Sequence, residues 1–197
     1  MESYQETKKI IQNYNCWSNF MYFISGAYAC LVPIILLKTD KIISKPYTGV
    51  FILFGILLII TGSVSCAYHH HTPSFNANVE KVKTKEFISL QEMDQYLALT
   101  SLIYGILFVL VRIMDNKFKP IVSDPMLYLS ILMGIIAIIF YSIANNHNHD
   151  AIHNCKKNDN LCINNNLDAY DIFHSNWHLF SGIGALFGIT LLKHTFD

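Results

Sequence analysis

The chain has 197 residues, of which 52% are hydrophobic and 14% are charged. Soluble globular domains carry about 25% charged residues, so this composition excludes an ordinary water-soluble fold. Its 14 basic and 14 acidic residues cancel to a formal charge of zero, which gives no reason to expect a nucleic-acid partner. We therefore expect a single integral membrane domain that covers residues 1–197.

Five segments are long and apolar enough to cross a bilayer core of about 30 Å. None of them contains an internal Lys, Arg or Glu. The residues before the first segment lack the small-residue cleavage site of a signal peptide, so we expect the first helix to be retained. The sequence thus predicts an all-α, polytopic membrane helix bundle of about five transmembrane helices. The predicted spans are Cys16–Leu37, Tyr47–Tyr68, Met93–Val111, Met126–Ala144 and Phe173–Leu192.

The connections between these spans alternate between short and long. KTDKIISKP and DNKFKPIVSDP are short and contain Pro, whereas the connections after the second and fourth spans are longer and more polar. The two long connections lie on the same side of the membrane as the N-terminus. Lys and Arg are almost equally frequent on the two sides, so the positive-inside rule gives no orientation.

The five cysteines fall into two groups. Cys16, Cys30 and Cys66 lie in or beside the predicted spans, where we expect them to be small, buried apolar side chains. Cys155 and Cys162 lie in the polar segment CKKNDNLC, and two interpretations stay open for them: a pair of free thiols or a disulfide. A disulfide would place this loop and the N-terminus in an oxidising lumen or outside the cell, as in a protein of the ER, the Golgi or the cell surface.

Five polar residues lie at the predicted ends of three spans: Ser65, His69, Asp94, His174 and His178. Ser65 and His69 are one helical turn apart, as are His174 and His178, so each pair lies on one helical face. The end of the second span and the starts of the third and fifth spans fall on the same side of the membrane. All five side chains can therefore meet in one layer.

Three imidazoles with an open fourth position are the ligand set of a catalytic zinc ion. Asp94 can accept a hydrogen bond from the zinc-bound water or act as a general base, and Ser65 can orient the water or an oxyanion. These residues predict a Zn²⁺ hydrolase embedded in lipid, with His69, His174 and His178 as metal ligands.

Ordinary structural explanations stay open for each residue. Paired histidines at the start of a span are often interfacial, and the run HHH leaves His69, His70 and His71 equally eligible as a ligand. Asp94 fits the first turn of a helix, where the helix dipole favours an acidic residue. Ser65 can bond to its own helix.

Two further patterns stand outside this layer. Three histidines in HNHDAIH, His147, His149 and His153, form a second cluster, which we interpret as solvated because no fourth ligand is evident. Gly184 and Gly188 in SGIGALFG have GxxxG spacing, which we interpret as ordinary close packing of helices.

The polar residues also resemble the CREST superfamily of membrane hydrolases, which includes alkaline ceramidases, GPI-remodelling proteins, the myomaker group, and the progestin and adipoQ receptors. The resemblance is carried by Ser65 and His69 in SCAYH, Asp94 in EMDQY, and His174 and His178 in HSNWHLFSGIGA. In addition, CWSNFMYFISGA is similar to the start of the first ceramidase helix. These landmarks span nearly the whole chain.

The resemblance implies a zinc-dependent lipid amidase or esterase. Zinc would be held by His69, His174 and His178, with Asp94 and Ser65 around a zinc-bound water that attacks a lipid carbonyl. It also implies a membrane lipid as substrate, either ceramide-like or a GPI-type lipid or phospholipid. The family core has seven helices, so a five-helix version is expected to have a lipid pocket open on one side, closed by lipid or by a partner chain such as a second copy.

Two other functions are compatible with the same residues. One is a non-enzymatic membrane protein, receptor-like or fusogenic, that uses a structural zinc site to brace its helices. The other is a haem-binding electron carrier in which His69 and either His174 or His178 are axial ligands.

Overall fold

The structure, a computed structural model, describes residue 10 and residues 14–38, 45–71, 85–156 and 159–196. All regular secondary structure within these ranges is helical, so the predicted all-α membrane bundle is confirmed. A helical turn at 14–18 precedes the first long helix. The α-helices are α1 (Phe20–Lys38), α2 (Lys45–His71), α3 (Lys85–Arg112), α4 (Phe118–Ser123), α5 (Pro125–His149) and α6 (Asn160–His194).

Four segments in the described ranges are long and apolar enough to cross a membrane: Tyr14–Lys38, Pro46–His69, Ser89–Asp115 and Pro125–His149. A helix suits them because the bilayer interior offers no water to bond with free peptide groups. The predicted fifth span lies inside α6, whose first half is rich in Asn, Asp and His. It is not among these four, so its crossing of the bilayer stays a prediction.

The order of the long helices leaves one side of the bundle open. α2 packs between α1 and α3, while α6 packs against α1 and α5. α3 meets α6 at few points, and α5 packs almost entirely against α6. α5 buries only Ala137 and Ala144, so most of its surface is left for lipid. The consequence is a gap between α3 and α5.

The prediction of a long loop after the fourth span is wrong. α5 continues to His149, and α6 already begins at Asn160. Asn is a weak helix former, but two local features compensate for it. Asp159 caps α6, accepting a hydrogen bond from the backbone N–H of Cys162 at 3.0 Å, and a disulfide between Cys155 and Cys162 closes the turn. The disulfide interpretation of these two cysteines is therefore the one that the structure contains.

Two glycines allow α1 and α2 to cross in backbone contact. A Cβ atom on Gly55 would lie 2.5 Å from the carbonyl oxygen of Gly26, and one on Gly26 would lie 2.7 Å from the carbonyl oxygen of Gly55. Between helices in lipid, packing of this kind replaces the hydrophobic effect as the source of association. The close approach brings α2, which carries Ser65 and His69, into a fixed position against α1.

Replacement of Gly55 by Ala is expected to destabilise the bundle, although Ala is the better helix former by about 1 kcal/mol. The added methyl group would overlap a backbone oxygen that cannot move independently. The matched control is Gly49→Ala in the same helix, because a Cβ there meets nothing within 4 Å. Thermal unfolding of the purified protein in detergent should show a lower midpoint for Gly55→Ala and an unchanged or higher midpoint for Gly49→Ala. Equal midpoints would contradict the crossing described here.

Candidate metal centre

The five polar residues predicted to meet do so inside the bundle. His69 comes from α2, Asp94 from α3, and His174 and His178 from α6, with Ser65 one turn before His69. His69 is 1% exposed, and the other four are fully buried. The two histidines of α6 point the same way because they are one turn apart. Three helices thus contribute to one buried polar cluster.

Direct contacts join most of these side chains. The Nε2 atoms of His174 and His178 are 2.9 Å apart. Asp94 Oδ2 lies 3.0 Å from the first and 3.1 Å from the second. Ser65 Oγ lies 3.1 Å from His178 Nε2. The His69 ring packs edge-on against the two imidazole rings of α6, with centroid distances of 5.2 Å to His174 and 6.1 Å to His178.

This donor set fits a metal ion. His69, Asp94, His174 and His178 each offer one ligand atom, and these atoms lie within 4.8 Å of one another. Two imidazole nitrogens that face each other at 2.9 Å repel through their lone pairs unless a proton or a cation lies between them. Imidazole and carboxylate are the ligands that zinc and neighbouring transition metals use in proteins. The four residues can therefore hold a metal ion.

The ordinary explanations for two of these positions fail. Asp94 does not lie in the first turn of its helix, because α3 begins at Lys85, and the helix dipole acts mainly over that first turn. The histidines of α6 are likewise not an interfacial cap, since α6 begins at Asn160 and buries both rings. In the HHH run, His69 belongs to the cluster, whereas the side chains of His70 and His71 lie outside the described part.

Aromatic residues around the cluster were not predicted. Tyr170 packs on His174 with a centroid distance of 5.1 Å and accepts a hydrogen bond from Gln91 Nε2 at 2.9 Å. Tyr68 packs on His69 at 4.8 Å. Both tyrosines are buried. Tyr170 lies one turn before His174, so helical spacing contained a signal that would have placed it on the ligand face.

The N-terminal turn ties two ligand-bearing helices together. A disulfide joins Cys16 to Cys66, the residue after Ser65, so the expectation that both cysteines are free apolar side chains is wrong. From the same turn, Asn15 accepts a hydrogen bond from Ser175, the neighbour of a histidine ligand. Pairing of this kind depends on proximity in space, which the sequence does not reveal. Cys30 is a free thiol and is half-buried, less so than the expected buried side chain.

An apolar groove begins beside the cluster and runs down the gap between α3 and α5. Its volume is about 670 Å³. At its upper end lie Gln95, which follows Asp94, and Trp177 and Ser181, which flank His178 on α6. At 1.5 Å per residue, the wall of α6 from Trp177 to Leu191 extends for about 20 Å. None of the five cluster residues lines the groove itself, so the groove ends beside the buried cluster, next to residues that adjoin Asp94 and His178.

The remaining predicted patterns lie elsewhere. His147 bonds to Asn166 Oδ1 at 3.0 Å, whereas His149 and His153 are exposed. Gly184 packs against α5, where a Cβ would lie 3.4 Å from Met133 Cβ, in agreement with the helix-packing interpretation of the GxxxG spacing. Within the described ranges, the four-residue cluster is the one group of His, Cys, Asp or Glu close enough to hold a metal.

No protein-family model, curated protein or solved structure matches the chain. The resemblance to the membrane hydrolases therefore rests on the motif residues alone.

The purified protein is expected to contain about one metal ion per chain, and His174→Ala should weaken its affinity by at least about 100-fold, as loss of a metal ligand costs more than loss of its supporting partner. The control is His194→Ala, because His194 bonds to Asp124 at 2.7 Å and belongs to no ligand group in the described part of the chain. Metal content is measured by elemental analysis after gel filtration. Equal metal content in wild type and His174→Ala would exclude this centre.

Proposed function

We propose that this protein is a zinc-dependent hydrolase that cleaves an amide or ester bond of a membrane lipid, with ceramide-like, GPI-type or phospholipid substrates. The observation that carries the proposal is the position of a buried group of three histidines and one aspartate beside the end of an apolar groove between α3 and α5. A centre that only braced helices would gain nothing from such a groove. The resemblance to the CREST superfamily points to the same chemistry.

In this proposal His69, His174 and His178 hold the zinc ion. When bound, zinc supplies a water molecule whose pKa is close to 7 and polarises the carbonyl group that is attacked. The two histidines of α6 already converge through their Nε2 atoms, so the protein does not need to reorganise α6 to bind the ion.

Asp94 is placed to move the proton. Its Oδ2 atom contacts both histidines of α6, while its Oδ1 atom is buried and has no hydrogen-bond partner among the described residues. Oδ1 can accept a proton from the attacking water as the new carbon–oxygen bond forms. It can then return that proton to the nitrogen or oxygen that leaves as the scissile bond breaks.

Ser65 is placed to stabilise the oxyanion. Its hydroxyl group is buried and lies 3.1 Å from His178 Nε2, so it faces the reacting centre. A hydroxyl donor held in a site of low polarity favours the negative charge that develops on the carbonyl oxygen. Ser65 would thereby lower the activation barrier of the attack on the carbonyl group, without forming a covalent intermediate.

The groove between α3 and α5 gives the substrate its path. A lipid can enter sideways from the bilayer, with its acyl chain along the apolar walls and its carbonyl group near Asp94 and His178. Members of the CREST superfamily have seven helices, whereas the described part of this chain has a single long helix, α5, between the helices that carry Asp94 and the final His pair. An open groove is the form that the resemblance leads us to expect.

The two disulfides support the proposed orientation in the membrane. Cys155–Cys162 lies at the N-terminal end of α6, and Cys16–Cys66 lies beside the metal cluster. Because disulfides persist in oxidising compartments, we place the N-terminal side of this multi-pass protein in the lumen of the ER or Golgi or outside the cell.

A second candidate function is a non-enzymatic membrane protein with a structural zinc ion. It is favoured by the number of protein donors, because three imidazoles and one carboxylate already complete the four-coordinate set of a closed structural site. The haem-carrier alternative has less support. Its axial ligands would be His69 and one histidine of α6, yet the His69 ring packs edge-on directly against both, with centroid distances of 5.2 Å to His174 and 6.1 Å to His178.

The two candidates differ in the effect of Asp94→Asn on membrane lipids. Cells that express the wild type should accumulate a free fatty acid together with the matching lysolipid or sphingoid base, and Asp94→Asn should reduce this accumulation by about 100-fold or more. The matched control is Glu92→Gln in the same helix, because Glu92 is exposed. Lipid mass spectrometry gives the readout. If wild type binds zinc but its lipid profile equals that of Asp94→Asn, the structural role is correct instead.

A further inference from the structure

The upper part of the groove contains hydroxyl groups that the proposed reaction does not use. Tyr22, Ser101 and Ser181 line the groove wall, and Thr61 lies behind Ser101 with its Oγ1 3.1 Å from Ser101 Oγ. They come from four different helices, α1, α3, α6 and α2. We call these four residues the hydroxyl belt.

Tyr22 is held in place by close contact of α1 with both neighbouring helices. A Cβ on Gly62 would lie 3.1 Å from Tyr22 Cβ, and a Cβ on Gly182 would lie 3.2 Å from the Tyr22 backbone nitrogen. The Tyr22 ring packs edge-on against His178, with a centroid distance of 5.7 Å. Its side chain is 2% exposed, so its hydroxyl is fixed beside the metal cluster.

The hydroxyl protons of the belt are already committed to partners within the protein. Ser181 donates to the carbonyl oxygen of Trp177 at 2.7 Å, which leaves it to accept from the Tyr22 hydroxyl at 2.6 Å. Thr61 and Ser101 bond to each other at 3.1 Å and each lie 2.9 Å from a carbonyl oxygen of their own helix, so their two protons are shared among these partners. A hydroxyl oxygen has two acceptor positions, so the belt presents spare acceptors to the groove. Such a surface is suited to a ligand that donates a hydrogen bond.

The depth of the belt follows from helix geometry. Ser181 is three residues beyond His178 in α6, and Ser101 is seven residues beyond Asp94 in α3. At 1.5 Å per residue, Ser181 lies about 5 Å and Ser101 about 10 Å below the metal cluster along the groove. A lipid whose carbonyl group is at the cluster therefore brings the first few carbons of its acyl chain to Ser181.

We propose that the hydroxyl belt selects lipids whose acyl chain carries a hydroxyl group close to the carbonyl carbon. This inference rests on the proposed function. A β-hydroxyacyl chain donates its hydroxyl proton to Ser181, whereas an unsubstituted chain passes the same oxygen without bonding to it. A neutral hydrogen bond contributes about 1 kcal/mol, which corresponds to about fivefold in affinity.

The test is a competition for the groove in the purified, full-length, zinc-loaded protein. A fluorescent polyene fatty acid is displaced by palmitic acid, by its β-hydroxy analogue and by its ω-hydroxy analogue. We expect the β-hydroxy acid to compete about five to ten times better than palmitic acid, and the ω-hydroxy acid to show no such advantage. Ser101→Ala combined with Ser181→Ala should remove the preference without reducing the affinity for palmitic acid.

Two further variants test whether the preference for the β-hydroxy acid arises at the hydroxyl belt and whether the acids bind in the groove. Ser130 also lines the groove but bonds to the carbonyl oxygen of Gly184, further from the cluster, so Ser130→Ala should retain the preference. Gly134 lines the groove and has nothing within 4 Å of an added Cβ. Gly134→Leu should therefore fill the groove and weaken binding of all three acids, while zinc content and folding stay unchanged.

The possible failures are distinguishable. Equal competition by palmitic and β-hydroxypalmitic acid in the wild type would overturn the role of the hydroxyl belt and leave the lipid hydrolase standing. A preference that survives in the double alanine variant would overturn it as well. If none of the acids displaces the probe, or if Gly134→Leu binds them as the wild type does, the groove is not a lipid site and the proposed function fails together with this inference.

Discussion

The contact of the buried Asp94 carboxylate with two histidines is the interaction on which the rest of the structure depends. Asp94 is fully buried in a helix bundle whose outside is lipid, and an uncompensated charge in such a place costs at least about 3 kcal/mol. Imidazoles from α2 and α6 surround it, and a divalent cation among them would offset its charge. The need to compensate this buried charge holds α2, α3 and α6 together around Asp94, and the other helices pack around these three.

α1 has no metal ligand, yet it is the helix that holds the ligand-bearing helices in place. It crosses α2 at Gly55, meets α6 at Gly182, where a Cβ would lie 2.8 Å from Met21 Cβ, and is tied to α2 through Cys16 in the preceding turn. α5 has the opposite character, because it is attached almost entirely to α6. Tight packing on one side thus fixes the metal cluster, and sparse packing on the other leaves the groove that ends beside it.

The parts of this arrangement that could be predicted are those that depend on helical period and on the alternating direction of the spans. The one-turn spacing of His174 and His178 predicts that both rings lie on one helical face. The alternating direction of the spans predicts that all five polar residues lie on one side of the membrane. Contacts in space could not be read in the same way. The Cys16–Cys66 disulfide joins residues that are 50 positions apart, and the groove exists only because α3 and α5 do not pack together. The early start of α6 was missed because a cap and a disulfide outweigh the weak helix propensity of its Asn-rich segment.

X-ray absorption spectroscopy of the protein as purified would show whether the cluster of His69, Asp94, His174 and His178 binds a metal ion. We expect a zinc edge and a first coordination shell of nitrogen and oxygen at about 2.0–2.2 Å, with the outer-shell scattering of three imidazole rings. A shell containing sulfur at about 2.3 Å, or the absence of any metal edge from a folded preparation, would contradict this expectation.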